Sequence, residues 1–182
     1  MKKNIVLVQF SSRINGNCSA ISNFISIKFE NENVSIFTVD DHTVQACNHC
    51  DYECLTPGKT CPNLNENQTT LMDAICNADM AYYIIPNYCG YPCANYFVFN
   101  ERSVGYFNMD RALMKKFMDV PKRFVIVSNT EGANFENAVK QQVSNEPEIL
   151  YLKTGKYHKR STAGDLMESD EAKADLSAFL VI

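Results

Sequence analysis

Residues 4–21 constrain the fold more tightly than any other stretch of the chain. Ile5-Val6-Leu7-Val8-Gln9-Phe10 is a short, apolar, β-branched run, the pattern of a strand covered on both faces of a parallel sheet. Polarity then reverses. Ser11, Ser12, Arg13, Asn15, Gly16, Asn17 and Ser19 crowd into nine residues, directly before a helical pattern at Ile21, Phe24 and Ile25. A helix N-terminus carries unpaired N–H groups and about half a positive charge, hydroxyls add neutral donors, and one guanidinium can hold two phosphate oxygens. A terminal phosphate suits such a loop. The dinucleotide fingerprint requires three glycines and the ATP/GTP loop requires Gly-Lys followed by Ser or Thr, and this loop has neither. Gly58-Lys59-Thr60 copies only the tail of the second, with no glycine five positions earlier and no strand before it.

The remaining chain repeats the alternation. Asn33 to Val39 reads as a second strand, closed by Asp40-Asp41-His42, and a cysteine-dense loop insert follows at about 46–66. Thr69 or Thr70 caps a helix through about Asn77, and Ala78 to Pro86 reads as the central buried strand, stopped by its proline. Pro86-Asn87-Tyr88-Cys89-Gly90-Tyr91-Pro92 is a loop, with Pro92 suited to the first turn of a helix running to about Arg102. Met109, Leu113 and Phe117 mark another helical face. Arg123 to Ser128 is a fourth strand, Ser128 to Gly132 a polar loop, Ile149 to Leu152 a fifth strand, and Ala172, Leu176, Phe179 and Leu180 a closing helix. This order implies a parallel sheet with helices on both faces, five strands in the order 2-1-3-4-5, and ligand chemistry at the strand C-termini. Tyr88, Tyr91, Tyr96, Phe97, Phe99, Tyr106 and Phe107 crowd one region and serve a planar ligand, a second subunit or the core.

At 182 residues and 46% hydrophobic, the chain reads as one domain able to bury a full α/β core. A net charge of -4 without a basic stripe argues against nucleic acid as the main partner. The apolar run after Met1-Lys2-Lys3 is too short for a signal peptide or a membrane span, so a cytoplasmic protein is expected. Eight cysteines in such a chain fit metal ligands, redox thiols or small core residues better than structural disulfides. Cys47, Cys50, Cys54 and Cys61, with gaps of two, three and six, can wrap one metal centre. A [4Fe-4S] cluster, a tetrahedral zinc and free or reversibly paired thiols all remain open. Cys89 and Cys93 are spaced as a redox pair or as packing residues, and Cys76 reads as core.

Taken together, the residues resemble the NAD(P)H-dependent FMN reductase and iron–sulfur flavoprotein group of the flavodoxin-like superfamily, over nearly the whole chain. Ser11 to Ser19 resembles that group's phosphate loop, with Ser12 in place of its proline and Cys18 in place of its Thr or Ser. Pro86 to Pro92 resembles its Pro-x-Tyr loop, and Phe99-Asn100-Glu101-Arg102 its Phe-x-Asp-Arg. The resemblance implies FMN, with phosphate on Ser11, Arg13, Asn17, Cys18 and Ser19. It places the ring against Pro86, Asn87, Tyr88, Cys89 and Gly90 and the loop Ser128, Asn129, Thr130 and Gly132. It also implies an iron–sulfur insert much like residues 47–61, in which the middle gap is two residues rather than three.

The implied function is an FMN-dependent oxidoreductase that takes hydride from NAD(P)H and passes electrons to an acceptor, with no side chain required as general acid or base. If Cys47, Cys50, Cys54 and Cys61 hold a cluster, a ferredoxin is an alternative donor. The rival readings are a non-catalytic flavodoxin-type electron carrier and a zinc-bearing regulatory module on the same scaffold. A homodimer or tetramer is expected, with its contact at Tyr96 to Phe107.

Overall fold

The computed structural model describes residues 1–40 and 42–180; Asp41, expected in the turn after the second strand, lies outside the described residues. Five parallel strands run β1 (Asn4–Gln9), β2 (Asn33–Thr38), β3 (Met80–Tyr88), β5 (Lys122–Ser128) and β6 (Glu148–Lys153). They lie side by side as β2-β1-β3-β5-β6, which counted along the chain is 2-1-3-4-5, the flavodoxin-like order. A sixth strand, β4 (Tyr91–Pro92), pairs antiparallel with the end of β3.

Alternation along each strand fills two cores. In β1 and the residue that follows it, Ile5 and Leu7 face one layer while Val6, Val8 and Phe10 face the other, and all five are essentially inaccessible. The first layer is closed by helices α1 (Asn17–Lys28) and α6 (Asp170–Phe179) through Ile21, Ile25, Ala172 and Leu176. The second is closed by α2 (Glu66–Cys76), α3 (Ala94–Phe107), α4 (Arg111–Asp119) and the short α5 (Phe135–Val139). Here Phe10, Tyr83, Tyr96 and Phe99 meet ring to ring, with centroids 5.4 to 6.0 Å apart. Each buried aromatic of this kind contributes roughly 1.5–3 kcal/mol by leaving water.

Several boundaries differ from the sequence reading, each for a local reason. Helix α2 begins four or five residues earlier than a Thr69 or Thr70 cap requires, because the Asn65 side chain accepts the Gln68 N–H and caps the helix itself. Pro86 does not end β3. The Ile84 carbonyl accepts the Phe10 N–H, so Pro86, two residues further, also faces the β1 side, where β1 has run out and no donor is needed. Pro92 belongs to β4 rather than to a helix. Cys89 and Gly90 form the two-residue turn that joins β3 to β4, with φ of +53° and +88°, the signs a type I′ hairpin demands. Helix α3 runs five residues past Arg102, and Met109, with φ of +65°, sits in the turn before α4. Among the described residues no helix is long and apolar enough to cross a membrane.

Candidate functional site

Because all five long strands are parallel, the loops after β1, β3, β5 and β6 emerge at one edge of the sheet. They enclose a cleft of about 380 Å³ lined by Arg13 from the first loop, Pro86, Asn87, Tyr88 and Cys89 from the second and Val127, Asn129 and Thr130 from the third. Ser161 and Thr162, beyond β6, complete it. Arg13 also lines two adjoining depressions of 320 and 220 Å³, shared with Ser11 and Ser12. A larger hollow of 580 Å³ lies between Cys76, Asp79, Lys115, Lys116 and Asp119, at the N-terminal edge of the strands, away from these loops.

Helix α1 aims its N-terminus at the first loop, and Gly16 in the capping position supplies no side chain to its free N–H groups. Helices α2, α4 and α6 are by contrast capped by Asn65, Asp110 and Ser169. The Arg13 guanidinium is exposed and has no protein partner among the described residues. Ser11 Oγ accepts the Arg13 N–H at 3.4 Å, which leaves the Ser11 hydroxyl proton available. Ser19 Oγ instead donates to the Arg13 carbonyl at 3.0 Å and holds the loop in shape.

Two residues expected at the phosphate point elsewhere. Asn17 is 3% exposed; its Nδ2 donates to the carbonyls of Arg160 and Ser161, and its Oδ1 accepts the Leu166 N–H. Cys18 is buried among Ile21 and its core neighbours, and burial pushes its thiol up to about 12. What both offer the loop is their backbone N–H. The segment that Asn17 anchors, 160–166, has no periodic pattern, and the sequence reading missed it. Its one legible signal is Ser161-Thr162-Ala163-Gly164, small and polar, soon after a strand. Gly164, with φ of +77°, lies so close that a Cβ would stand 2.3 Å from the Asn15 carbonyl oxygen, so only glycine lets the segment close over the first loop.

The second and third loops are tied together through Asn87. Its Nδ2 donates to Ser128 Oγ at 2.6 Å, Thr130 Oγ1 at 3.2 Å and the Glu131 carbonyl at 3.3 Å. Ser128 Oγ donates in turn to the Thr130 carbonyl, and the Asn134 N–H donates to the Gly90 carbonyl at 3.1 Å. With its NH2 fully engaged, Asn87 Oδ1 is left buried and unpartnered on a residue that lines the cleft. A buried acceptor in that state favours a ligand N–H. Tyr88 lines the cleft and pairs across the hairpin with Tyr91, both about half exposed. Tyr96, Phe99 and Phe107 of the expected aromatic group are core instead. Cys93 is buried and bonds the Phe10 carbonyl, whereas Cys89 is exposed, so they have different surroundings.

The cysteine insert packs against α3, with Cys61 buried, Cys50 and Cys54 half-buried and Cys47 exposed. Among the described residues no three His, Cys, Asp or Glu side chains gather as a metal-binding group. A cluster or a tetrahedral zinc at Cys47, Cys50, Cys54 and Cys61, expected from their spacing, is therefore not supported. Cys76 is core, as expected, beside Tyr106.

No protein-family model matches the chain, and no curated protein sequence matches it. Solved structures do. The chain is similar to the Trp repressor binding protein from Bacillus subtilis, at 12% identity over 97% of each chain with a TM-score of 0.64. It is similar to FerB, a flavoenzyme NAD(P)H:(acceptor) oxidoreductase from Paracoccus denitrificans, at 12% identity over 97% of this chain and 94% of that one, TM-score 0.54. An NADH:FMN oxidoreductase in its apo form matches at 10% identity over 98% and 88%, TM-score 0.50. At these identities the likeness is one of fold: a flavodoxin-like α/β sandwich.

Proposed function

We propose that the chain is an FMN-binding oxidoreductase that uses NAD(P)H as hydride donor and hands the electrons to a small-molecule or protein acceptor. The observation that carries this reading is the cleft itself. One end offers an unpartnered guanidinium, free hydroxyls and an uncapped helix N-terminus, and the other offers Pro86, Tyr88 and Val127 beside the unpaired Asn87 Oδ1. A singly phosphorylated planar ring system matches both ends at once, and flavoenzymes are among the proteins of similar fold.

When bound, FMN supplies the hydride and electron chemistry. The chain's part is to bind and shield. Arg13, Ser11, Ser12 and the backbone N–H groups of Asn17, Cys18 and Ser19 hold the phosphate dianion. Asn87 Oδ1 accepts a ring N–H, which selects an imide-bearing ring over a merely aromatic one. Cys89, Gly90, Asn129, Thr130 and Gly132 hold the ring edge with main-chain groups, their loops fixed by the Asn87 and Asn134 bonds. Tyr88 covers one face and keeps water out. In this reading the protein forms a homodimer or tetramer, and exposed Tyr91 and Phe97 are the aromatic groups available for the contact.

Reconstitution tests the proposal. Folded protein stripped of ligand is titrated with FMN and then supplied with NAD(P)H and a quinone or dye acceptor. Saturable flavin uptake with sustained NAD(P)H oxidation supports it. Uptake without turnover identifies a flavodoxin-type carrier, and refusal of FMN by folded protein removes the flavin reading altogether.

A further inference from the structure

Arg102, on α3, is 2% exposed, and among the described residues no carboxylate reaches its guanidinium. Its Nη1 donates to Cys47 Sγ at 3.7 Å, its Nη2 donates to Cys61 Sγ at 3.5 Å, and its Nε has no partner. A guanidinium keeps its proton at any working pH, and leaving it buried without an anion is costly. Among the described residues these two sulfurs are the only partners its guanidinium has. The surroundings are built for this contact. A Cβ on Gly105 would stand 3.0 Å from Cys61 Sγ and 3.8 Å from Arg102 Nη2, so α3 carries a glycine in its interior, at a cost of about 1 kcal/mol, where Cys61 settles onto it. Gln68 Nε2 donates to the Arg102 carbonyl at 2.7 Å and fixes that turn of α3 against α2. One planar fork thus touches two sulfurs of unlike access, Cys61 buried and Cys47 open to solvent.

We propose that Cys47 and Cys61 form a thiol–disulfide exchange pair for low-molecular-weight disulfides, with Arg102 as the positioning residue that holds the two sulfurs side by side. The exposed Cys47 sulfur attacks one sulfur of a disulfide RSSR. That S–S bond breaks, one RS⁻ leaves and takes a proton from water, and a mixed disulfide forms on Cys47. Cys61 then attacks Cys47 Sγ, the second RS⁻ leaves, and the Cys47–Cys61 disulfide closes. The pair gives up two electrons and RSSR accepts them; a small dithiol runs the sequence in reverse. Arg102 sets the balance. Its Nη1 and Nη2 each hold one sulfur of the reduced pair, contacts that closing the disulfide weakens, so the guanidinium favours the reduced pair and makes the disulfide more oxidising. This pair is independent of the flavin cleft.

The test equilibrates the full chain, as purified, in graded mixtures of reduced and oxidised glutathione, quenches with acid, alkylates and maps the bonds by mass spectrometry. The expected product is a Cys47–Cys61 disulfide. Cys61→Ser is expected to trap glutathione on Cys47, and Cys47→Ser to leave Cys61 largely unmodified. In Arg102→Gln the half-oxidised point is expected at mixtures at least tenfold more reducing, a shift of about 30 mV, with Arg102→Lys restoring most of it. Circular dichroism reports folding of each variant; if Arg102→Gln does not fold, Arg102→Lys and the two cysteine variants decide alone. Absence of a Cys47–Cys61 disulfide at every ratio, pairing to Cys50 or Cys54 instead, or stoichiometric iron or zinc holding these thiols unreactive would each overturn the proposal.

Discussion

The Asn17 amide oxygen accepts the Leu166 N–H at 3.0 Å, across 149 residues of chain, so the first turn of α1 and the segment after β6 are fixed by one side chain. Its Nδ2 closes the same link onto the carbonyls of Arg160 and Ser161, at 3.1 Å each. Asn17→Ala removes one buried and two part-buried bonds and strands three main-chain groups. Each is worth about 0.5–1.5 kcal/mol, so a loss of roughly 2–3 kcal/mol in a urea titration is expected. Hydrogen exchange at Leu166 should quicken, and FMN should bind more weakly because Ser161 and Thr162 leave the cleft wall. An unchanged urea midpoint would mean that the link contributes nothing.

Among the described residues the Arg13 guanidinium makes no hydrogen bond or ion pair that its loss could disturb, so its substitution reads ligand binding. Removing a charge-assisted phosphate contact costs about 1.5–3 kcal/mol, and Arg13→Ala is therefore expected to weaken FMN roughly 10- to 100-fold. Riboflavin, which lacks the phosphate, should bind almost as it does to the unaltered protein. Equal losses for the two ligands would show that Arg13 lies off the phosphate.

These two residues mark how far the sequence could be read. The strands were legible because their apolar residues alternate between two cores, and Arg13 because a guanidinium in a polar loop before a helix has few other uses. The fate of Asn17 was not legible, since its partners lie some 143 to 149 residues away in a stretch without periodicity. The β3–β4 hairpin did leave a trace, a two-residue turn ending in Gly90, but Pro86 masked it. Proline stops a strand only when its missing N–H faces a neighbour, and here the neighbour has ended. The cysteine spacing was legible as a cluster of thiols, yet spacing is blind to Arg102, which contacts Cys47 and Cys61 from a helix position 55 and 41 residues on.

Gly132 sits where the third loop passes under Tyr151. A Cβ there would lie 2.4 Å from the ring carbon Cε1, and the Tyr151 hydroxyl donates to the Gly132 carbonyl at 3.4 Å. Gly132→Ala must push the ring aside, with an expected cost of about 1–3 kcal/mol and a weakened FMN site, since Ser128 to Gly132 flanks the cleft. The double variant Gly132→Ala/Tyr151→Ala relieves the clash and should recover part of the loss relative to additivity. Simple additivity of the two changes would show that the contact is not the cause.

Lys122, at the start of β5, is 4% exposed, and its ammonium donates to the carbonyls of Phe117 and Val120 while lying 4.2 Å from the Phe117 ring centroid. Burial holds it down to about 7 from an ordinary 10.5, only partly offset by the nearby Cys76 and Asp119. Below pH 7 the folded and unfolded chains both carry the proton, and the full cost of burying the charge is present. Between about 7 and 10.5 the unfolded chain keeps a proton that the folded chain has released, so stability rises with pH across that window, by a few kcal/mol. Denaturant titrations from pH 7 to 10 check the slope. Lys122→Met should flatten it by removing the titrating group, and a slope that survives this substitution would assign the effect to another residue.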